Sequence, residues 1–496
     1  MRNRIRILAT SDIHGQVENL ARISTLVKML RDEDTILIDN GDALEKSPLA
    51  FFHQRFHADQ ISMITKIMHA MHYDFINIGN HDFDDGPACL SLHLNNVGAP
   101  CLTHNCSVHA EPLGPTYAIV EAAGKKIAFF GLTTTAAAKY SAPKNIKNFH
   151  FTDAYTCAVK TVDVLKRLEK PDFIIALYHG SFENDPHTGK QTGISKEDNQ
   201  AFRMLEDIQG IDLLIAGHEH RTYSGIHKHT AYVETAANGT ELACIDLYTD
   251  THMADIEIYP VDTEMDTEVL SDAAQEINEA NTWLDTICGH TDMDLLVHDE
   301  NSARLHSHPL VQLYNRAAMA AGHCDLAASS LFRYTKGLPH DITMRDILAS
   351  YPFINTLVVK EITGRQLKEY LEQTASFWSI NNSADIIVSP WLEARQSLYE
   401  NYDIVDGICY TIDVANPIGN RITRLQYQAH DVKPEDTFMI ALNSYRAYGG
   451  GGYDMLKEAK KLRSVPIDMT EIIADYIRSN DPLHFEFQPH VTVIAH

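Results

Sequence analysis

Ile5-Arg-Ile-Leu-Ala-Thr-Ser-Asp12-Ile-His14 is an apolar, strand-like run that ends in two side chains able to bind a metal. A short apolar run of this kind favours a strand buried on both faces of a parallel sheet. Residues two apart on an extended backbone point the same way, so Asp12 and His14 are expected to face one site. The pattern predicts a strand that delivers ligands at its carboxyl end.

Four further apolar runs end in the same way. They are Thr35-Ile-Leu-Ile-Asp-Asn-Gly-Asp42, Phe75-Ile-Asn-Ile-Gly-Asn80-His81-Asp82, Phe173-Ile-Ile-Ala-Leu-Tyr-His179 and Leu213-Leu-Ile-Ala-Gly-His218-Glu-His220. The carboxyl ends of strands in an open α/β sheet line one crevice, so the five ends are expected to meet. A single histidine after a strand is usually structural, but five such ends at equivalent positions favour a metal centre.

The hydrophobic pattern predicts two domains of different class. Apolar strands alternate with helices over the first 250 residues, as in an α/β domain, and one helix face is spaced at Leu20, Ile23, Leu26, Val27 and Leu30. A polar, acidic and helical stretch, 262–280, favours a connector. Beyond it, helices at 310–321 and 364–377 mix with strands at 407–414 and 437–442, which is typical of an α+β domain. The predicted boundaries are 1–260, a linker 261–300, and 301–496.

Composition restricts the classes of ligand and the compartment. The 496 residues include 41 Lys plus Arg and 67 Asp plus Glu, a formal charge of -26. A surface of this charge repels a long nucleic acid. It still admits a single nucleotide at a locally cationic or metal site. No apolar run of about 18 residues is present, so no membrane association is predicted. Eight scattered cysteines and an N-terminus without an apolar leader favour a cytoplasmic protein.

The order D-x-H, G-D, G-N-H-D, H-G, G-H-x-H resembles the calcineurin-like metallophosphoesterase superfamily. The resemblance implies an αββα-type sandwich and two divalent metal ions. It assigns one ion to Asp12, His14 and His220, the other to Asn80, His179 and His218, and a bridge between them to Asp42. Mixed carboxylate and imidazole ligands suit Mn, Zn, Fe or Co, and such a pair of ions can activate a water for in-line displacement at phosphorus.

His81 is predicted to be catalytic rather than a ligand. If Asn80 binds a metal, the adjacent His81 leaves the strand in another direction and is free to stabilise or protonate a leaving group. Asp84, three residues later, is placed to orient the His81 ring, although it could instead cap the following turn. Asp82 is expected to be structural.

The C-terminal half carries a candidate substrate site. Asn443-Ser-Tyr445-Arg446-Ala-Tyr-Gly-Gly-Gly-Gly452 follows a strand, and Tyr399-Glu-Asn-Tyr402 precedes another. Glycines let backbone approach a ligand closely, and aromatic rings can stack on a base or pack a core. With Tyr351-Pro-Phe-Ile-Asn355, these segments resemble the C-terminal domain of the 5'-nucleotidase family. The resemblance implies a base held between Tyr402 and Tyr445, two domains that rotate about a connecting helix, and Arg333, Asn355, Arg446 and Asn443 as candidate substrate residues.

The segments are most similar to the branch of 2',3'-cyclic-nucleotide 2'-phosphodiesterase/3'-nucleotidases. Where 5'-nucleotidases carry a ribose-binding Asp in the glycine turn, this chain has Gly451, and Ala328-Ser-Ser-Leu-Phe-Arg333 replaces their glycine-rich phosphate loop. The prediction is therefore hydrolysis of 2',3'-cyclic and 3'-nucleotides. The alternatives are a 5'-nucleotidase or UDP-sugar hydrolase, and a nucleotide-binding or metal-binding protein without turnover.

Overall fold

A computed structural model describes residues 4–141, 143–192, 194–353, 355–393 and 396–495. The chain divides into two compact units, Met1–Asn281 and Thr282–His496. No helix in the described part of the chain is long and apolar enough to cross a membrane.

Two sheets form the centre of the first unit. In spatial order, the strands of the five-stranded sheet are Ala254–Pro260, Glu241–Tyr248, Arg4–Thr10, Thr35–Asp39 and Phe75–Ile76. The strands of the six-stranded sheet are Tyr223–His227, Thr230–Glu234, Leu213–Ala216, Phe173–His179, Lys125–Thr133 and Ala118–Ala122. The strands that carry the predicted ligands are parallel to one another within each sheet, so their carboxyl ends lie at one edge.

The alternation of buried side chains places the two sheets face to face. Ile5 and Ile7 of the first sheet pack in one core with Phe129 and Ile175 of the second. Residues pointing the other way, such as Leu8, pack in a separate core under the helix Val17–Leu30. The order helix, sheet, sheet, helix is the αββα sandwich that the sequence predicted.

Helices cover the outer faces of both sheets in the first unit. They are Val17–Leu30, Pro48–Phe56, Met63–Met71, Pro87–Asn96, Ala137–Tyr140, Pro143–Ile146, Ala154–Val164, Ala201–Asp207 and Ala274–Leu284, with shorter helical turns at His81–Phe83, Leu165–Glu169 and Ser271–Ala273. Strands Glu111–Pro112, Cys106–Val108 and Phe149–Phe151 form a small separate sheet. The predicted helix face is buried at Leu20, Ile23, Leu26 and Val27.

The second unit is a mixed α+β domain, as predicted. Its five-stranded sheet has the order Asp403–Asp406, Leu326–Ser330, Thr437–Asn443, Thr356–Thr363 and Lys460–Asp468, and a four-stranded sheet has the order His430–Asp431, Ile422–Tyr427, Cys409–Asp413 and Val491–Ile494. The remaining strands pair as Ile287–His290 with Asp341–Thr343, Leu295–Leu296 with Gly337–Leu338, and Trp378–Ile380 with Ile386–Val388. The helices are Glu300–His306, Pro309–Gly322, Met344–Ser350, Gly364–Ala375, Pro390–Glu393, Gln396–Asn401, Ser444–Ala447, Asp454–Glu458 and Met469–Ser479.

The predicted helix 364–377 ends two residues earlier in the structure, at Ala375. Thr363 begins it with a capping box that satisfies the first free backbone amides. The connector contributes the helix Ala274–Leu284, which crosses the border between the units at residue 281. Residues 282–300 of the predicted linker already belong to the second unit.

Candidate active site

Five strand ends of the first unit bring their polar side chains together. Nε2 of His14 lies 3.0 Å from Nε2 of His220, and Oδ1 of Asp12 lies 3.4 Å from the same His220 nitrogen. Nε2 of His179 lies 3.2 Å from Oδ2 of Asp42 and 3.9 Å from Oδ1 of Asp12. Residues more than 200 positions apart in the chain therefore face one point, which is buried except at His220, whose side chain is 40% exposed.

These side chains form two adjoining groups with metal-ligand geometry. The ligand atoms within each group all lie within 4.8 Å of one another, and the groups are Asp12, His14 and His220, and Asp42, His179 and His218. The resemblance divides these residues in the same way, except that it assigns Asp42 to both ions and adds Asn80 to the second.

The local backbone shows strain at this edge of the sheets. Five of the predicted ligands have a φ angle in the left-handed region, from 51° to 84°, which non-glycine residues rarely adopt; they are Asp12, His14, Asp42, His218 and His220. Conformations of this kind cost about 1–3 kcal/mol each and cluster at functional sites. Gly79 is required for a different reason, because a Cβ there would collide with the carboxylate of Asp42.

Unsatisfied polar atoms test whether the residues fit a metal. Among the described residues, Oδ2 of Asp42, Oδ1 of Asn80, Nε2 of His179 and Nδ1 of His218 are buried without a hydrogen-bond partner. An unpartnered buried polar atom costs about 1–3 kcal/mol, and three of these four residues, Asp42, His179 and His218, offer ligand atoms within 4.8 Å of one another, as expected of donors to a cation. The ligand set fits divalent metal ions.

The electrostatics of the site favour the ligand form of Asp42, His14 and His218 but the protonated form of His179: although burial lowers the pKa of His179, the carboxylates of Asp42 and Asp12 raise it to about 10. A cation bound there would have to displace that proton. Burial raises the pKa of Asp42, but the neighbouring His179 outweighs it and holds that pKa well below its usual range, so the carboxylate is ionised. Burial lowers the pKa of His218 to about 3 and also lowers the pKa of His14. Both imidazoles are neutral near pH 7, the form that binds metals.

His81 lies at the rim of this centre with its carboxylate partner. Its side chain is 31% exposed, and its Nδ1 lies 2.6 Å from Oδ2 of Asp84. The other oxygen of Asp84 accepts a hydrogen bond from Ser141 at 3.0 Å, so the carboxylate is fixed on both sides. Asp82 instead accepts hydrogen bonds from the backbone amides of Asp42 and Gly79, which gives it the structural role expected of it.

The two predicted base-stacking tyrosines of the second unit differ in exposure. Tyr445 is 45% exposed, whereas Tyr402 is 1% exposed and packs against Phe377 and Trp378. A buried ring has no free face for a base, so the predicted pairing of Tyr402 with Tyr445 does not fit the structure. The sequence did not distinguish a core tyrosine from a stacking one.

Three further predicted substrate residues hold the glycine turn together instead of facing solvent. Arg446 is 2% exposed and binds Asp403 with two hydrogen bonds of 2.5 and 3.0 Å. Oδ1 of Asn443 accepts the backbone amide of Arg446, and Oδ1 of Asn355 accepts the backbone amide of Tyr445. These contacts give all three side chains a structural explanation. The fourth candidate, Arg333, is partly exposed, and its guanidinium lies over the ring of Tyr334.

Sequence reasoning did not select two other residues near these segments. Arg304 is fully buried, and among the described residues its Nε and Nη1 have no hydrogen-bond partner, while its Nη2 donates to the backbone oxygen of Leu331 at 3.0 Å. Phe353 is partly exposed and precedes Asn355 by two residues. A buried arginine leaves no signal in the sequence, but Phe353 lies in a segment already singled out.

Comparison with known proteins identifies both halves of the chain. Residues 5–222 match the family model of the calcineurin-like phosphoesterases, and residues 287–458 match that of the 5'-nucleotidase C-terminal domain. The chain is 27% identical, over 92% of its length, to the trifunctional nucleotide phosphoesterase protein YfkN of Bacillus subtilis, but spans only 32% of that relative. It is 25% identical to the 2',3'-cyclic-nucleotide 2'-phosphodiesterase/3'-nucleotidase of Haemophilus influenzae, over 96% of this chain and 84% of the relative.

A solved structure agrees over nearly the whole chain. It is a protein of Staphylococcus aureus proposed to be a 5'-nucleotidase, in complex with alpha-ketoglutarate, with a TM-score of 0.89, 27% identity, and coverage of 99% of this chain and 100% of that one. Fold, ligand geometry and relatives together define a metal-dependent phosphoester hydrolase. The chain belongs to the 5'-nucleotidase family, in which a calcineurin-like phosphoesterase domain precedes a 5'-nucleotidase C-terminal domain.

Proposed function

We propose that the enzyme hydrolyses nucleotides with two divalent metal ions, and that 2',3'-cyclic and 3'-nucleotides are its preferred substrates. Asp12, His14 and His220 would hold one ion, Asn80, His179 and His218 would hold the other, and Asp42 would contribute to both. When bound, such ions supply Lewis-acid stabilisation of phosphoryl oxygens and an activated water. Mixed nitrogen and oxygen ligands favour Mn, Zn, Fe or Co.

The chain's own residues would then assist the leaving group. His81 is partly exposed at the rim of the ligand cluster, where it can hold a proton for the departing ribose oxygen. The 2.6 Å contact with Asp84 fixes the ring and stabilises its protonated form. Asp84 is therefore proposed as the orienting residue and His81 as the proton donor.

We attribute the preference among nucleotides to the glycine turn, residues 449–452. A Cβ at Gly451 would lie 2.5 Å from both Nη1 of Arg446 and Oδ1 of Asn401, and the φ angle is 75°. The turn therefore has no space for a side chain, and the buried pair of Arg446 with Asp403 lies beneath it. Without a carboxylate to bind a pair of free ribose hydroxyls, the turn accepts a ribose in which the 3' oxygen, or both the 2' and 3' oxygens, are esterified.

The contacts to the base and to an anionic group of the nucleotide are assigned to partly or fully exposed side chains of the second unit. Because Asn355 binds the backbone of Tyr445, the segment that carries Phe353 lies beside that tyrosine. We assign stacking on the base to these two rings. Arg333, which is partly exposed, is assigned to an anionic group of the nucleotide.

The proposal is tested by comparing turnover of 2',3'-cyclic AMP, 3'-AMP, 5'-AMP and UDP-glucose on one Mn²⁺-loaded preparation. The first two are expected to have the highest kcat/KM. Exclusive cleavage of 5'-AMP or UDP-glucose would overturn the preference while leaving the metal chemistry intact. The panel also tests the second candidate function, a 5'-nucleotidase or UDP-sugar hydrolase, which the name of the Staphylococcus aureus neighbour favours.

The proposal also includes the compartment, the cytoplasm. All eight cysteines are free thiols, two of them in an intermediate environment and one exposed, as expected in a reducing cytoplasm. The nucleotide remains the single partner proposed.

A further inference from the structure

Glu45 is a buried carboxylate between two imidazoles of the first unit. It lies in the loop between the strand Thr35–Asp39 and the helix Pro48–Phe56, and it is 4% exposed. Its Oε1 is 3.3 Å from Nδ1 of His14 and 3.8 Å from Nδ1 of His81. No motif in the sequence pointed to this residue, and the function proposed above does not use it.

The two nitrogens of His14 face different partners. Nε2 points into the ligand cluster, 3.0 Å from Nε2 of His220 and 3.8 Å from Oδ1 of Asp12, whereas Nδ1 faces Glu45. Histidines that bind a metal through one nitrogen usually donate the other N–H to a carboxylate, which fixes the tautomer and the ring orientation. The contact between His14 and Glu45 has this arrangement.

We propose that Glu45 is a positioning residue that holds His14 with Nδ1 protonated and Nε2 free for the metal. The proposal rests on the proposed function insofar as His14 is a metal ligand. Removing the carboxylate leaves the Nδ1–H without an acceptor and the ring free to rotate. Loss of an outer hydrogen-bond partner of this kind typically lowers metal affinity about 10- to 100-fold.

A different use of the same carboxylate is a third cation site. One ligand atom each of Glu45, His81 and Asp84 lie within 4.8 Å of one another. The His81 nitrogen in this group is already 2.6 Å from Asp84, a hydrogen bond that leaves no lone pair for a cation. The geometry therefore favours the contact with His14.

The experiment is a calorimetric titration of chelator-treated protein with Mn²⁺, without nucleotide. Glu45→Ala is compared with Glu45→Gln, whose amide oxygen can still accept the Nδ1–H. Glu276→Gln is the matched control, because Glu276 is also buried against a histidine, with Oε1 2.5 Å from Nδ1 of His53, a residue outside the ligand set. Electron paramagnetic resonance of the loaded proteins reports whether two Mn²⁺ ions are spin-coupled.

Glu45→Ala is expected to weaken one of two Mn²⁺ binding events by about 10- to 100-fold and to lose the coupled spectrum. Glu45→Gln and Glu276→Gln should retain both. Three outcomes would overturn the inference: wild-type binding by Glu45→Ala, equal loss of both ions together with a lower melting temperature, or loss of a third equivalent alone. Because no nucleotide is present, failure of the substrate panel leaves this result intact, whereas a wild-type protein that binds no Mn²⁺ removes the proposed function itself.

Discussion

At the scale of single residues, Asp42 is the carboxylate proposed to bridge the two groups of ligands. Its Oδ2 lies 3.2 Å from His179, and its Oδ1 accepts the backbone amide of His81 at 2.7 Å. Any change to this carboxylate therefore affects both the ligand cluster and the residue proposed to protonate the leaving group.

Asp42→Asn is expected to lower bound metal and to abolish hydrolysis, because the amide supplies one weak ligand atom in place of a charged bridge. Metal content by mass spectrometry and turnover of 2',3'-cyclic AMP measure the two effects. Asp39→Asn is the matched control: Asp39 is also buried, and burial raises its pKa to about 8, so it is neutral near pH 7 and an amide mimics it. Full activity of Asp42→Asn would contradict the assignment of the bridge.

His81→Gln should lower kcat for 3'-AMP by about 10²- to 10⁴-fold, since an alkoxide leaving group needs a proton. Hydrolysis of p-nitrophenyl phosphate, whose leaving group is stable without one, should fall much less. Steady-state kinetics on both substrates measures the difference. Equal losses on the two substrates would show that His81 binds phosphate or metal instead of donating a proton.

The ligand cluster could be predicted because each ligand follows an apolar strand, and parallel strands end at one edge. The substrate residues could not, because Arg446 and Arg333 look alike in the sequence. Only the fold shows that Arg446 is paired with Asp403 in the interior. Glu45 was missed for a related reason, since its role depends on a loop that returns to His14.

At the scale of structural elements, the glycine turn after the strand Thr437–Asn443 is held by a buried hydrogen-bond network. Tyr370 and Arg446 both bind Asp403, and Arg446 also donates to the backbone oxygen of Gly450. This network explains why Gly451 cannot carry a side chain, and it makes the turn rigid beneath Tyr445.

Gly451→Asp is expected to destabilise the second unit and not to create a ribose site. The left-handed φ costs about 1–2 kcal/mol for any side chain, and disrupting the buried pair of Arg446 with Asp403 adds about 3–5 kcal/mol. Gly419→Asp isolates the first cost, because Gly419 has a φ of 89° with nothing within 4 Å. Urea unfolding of both variants measures the difference; equal destabilisation would show that the turn has space for a carboxylate.

Tyr445→Ala and Phe353→Ala should each raise KM for 3'-AMP by roughly 5- to 150-fold with little change in kcat, since stacking on a base contributes about 1–3 kcal/mol. Tyr402→Phe is the control, because it keeps the buried ring and removes only the hydroxyl. Its KM should match that of the wild type. A wild-type KM in both Tyr445→Ala and Phe353→Ala would contradict the assignment of these two rings to the base.

At the scale of the whole molecule, the periodicity of apolar residues predicted the class of each domain better than it predicted which strands pair. Strand runs and one amphipathic helix were enough to predict an α/β domain in the first unit, and the sandwich followed from the resemblance to the calcineurin-like metallophosphoesterases. The second unit was predicted only as α+β, because its central sheet orders strands that are far apart in the chain, from Asp403–Asp406 through Leu326–Ser330 to Lys460–Asp468. Pairings of that kind depend on long-range packing that a local pattern does not encode.

Removing the metals should destabilise the first unit selectively, because every proposed ligand lies within Met1–Asn281. A ligand at 100 times its dissociation constant stabilises the native state by about 2.7 kcal/mol, which for a unit of this size corresponds to roughly 5–10 °C in melting temperature. Hydrogen exchange with and without chelator should show deprotection of the strands Arg4–Thr10 and Phe173–His179 but not of Thr437–Asn443. The Asp42→Asn variant should respond less to chelator. Uniform deprotection of both units would mean that the metal centre also stabilises the second unit, contrary to this prediction.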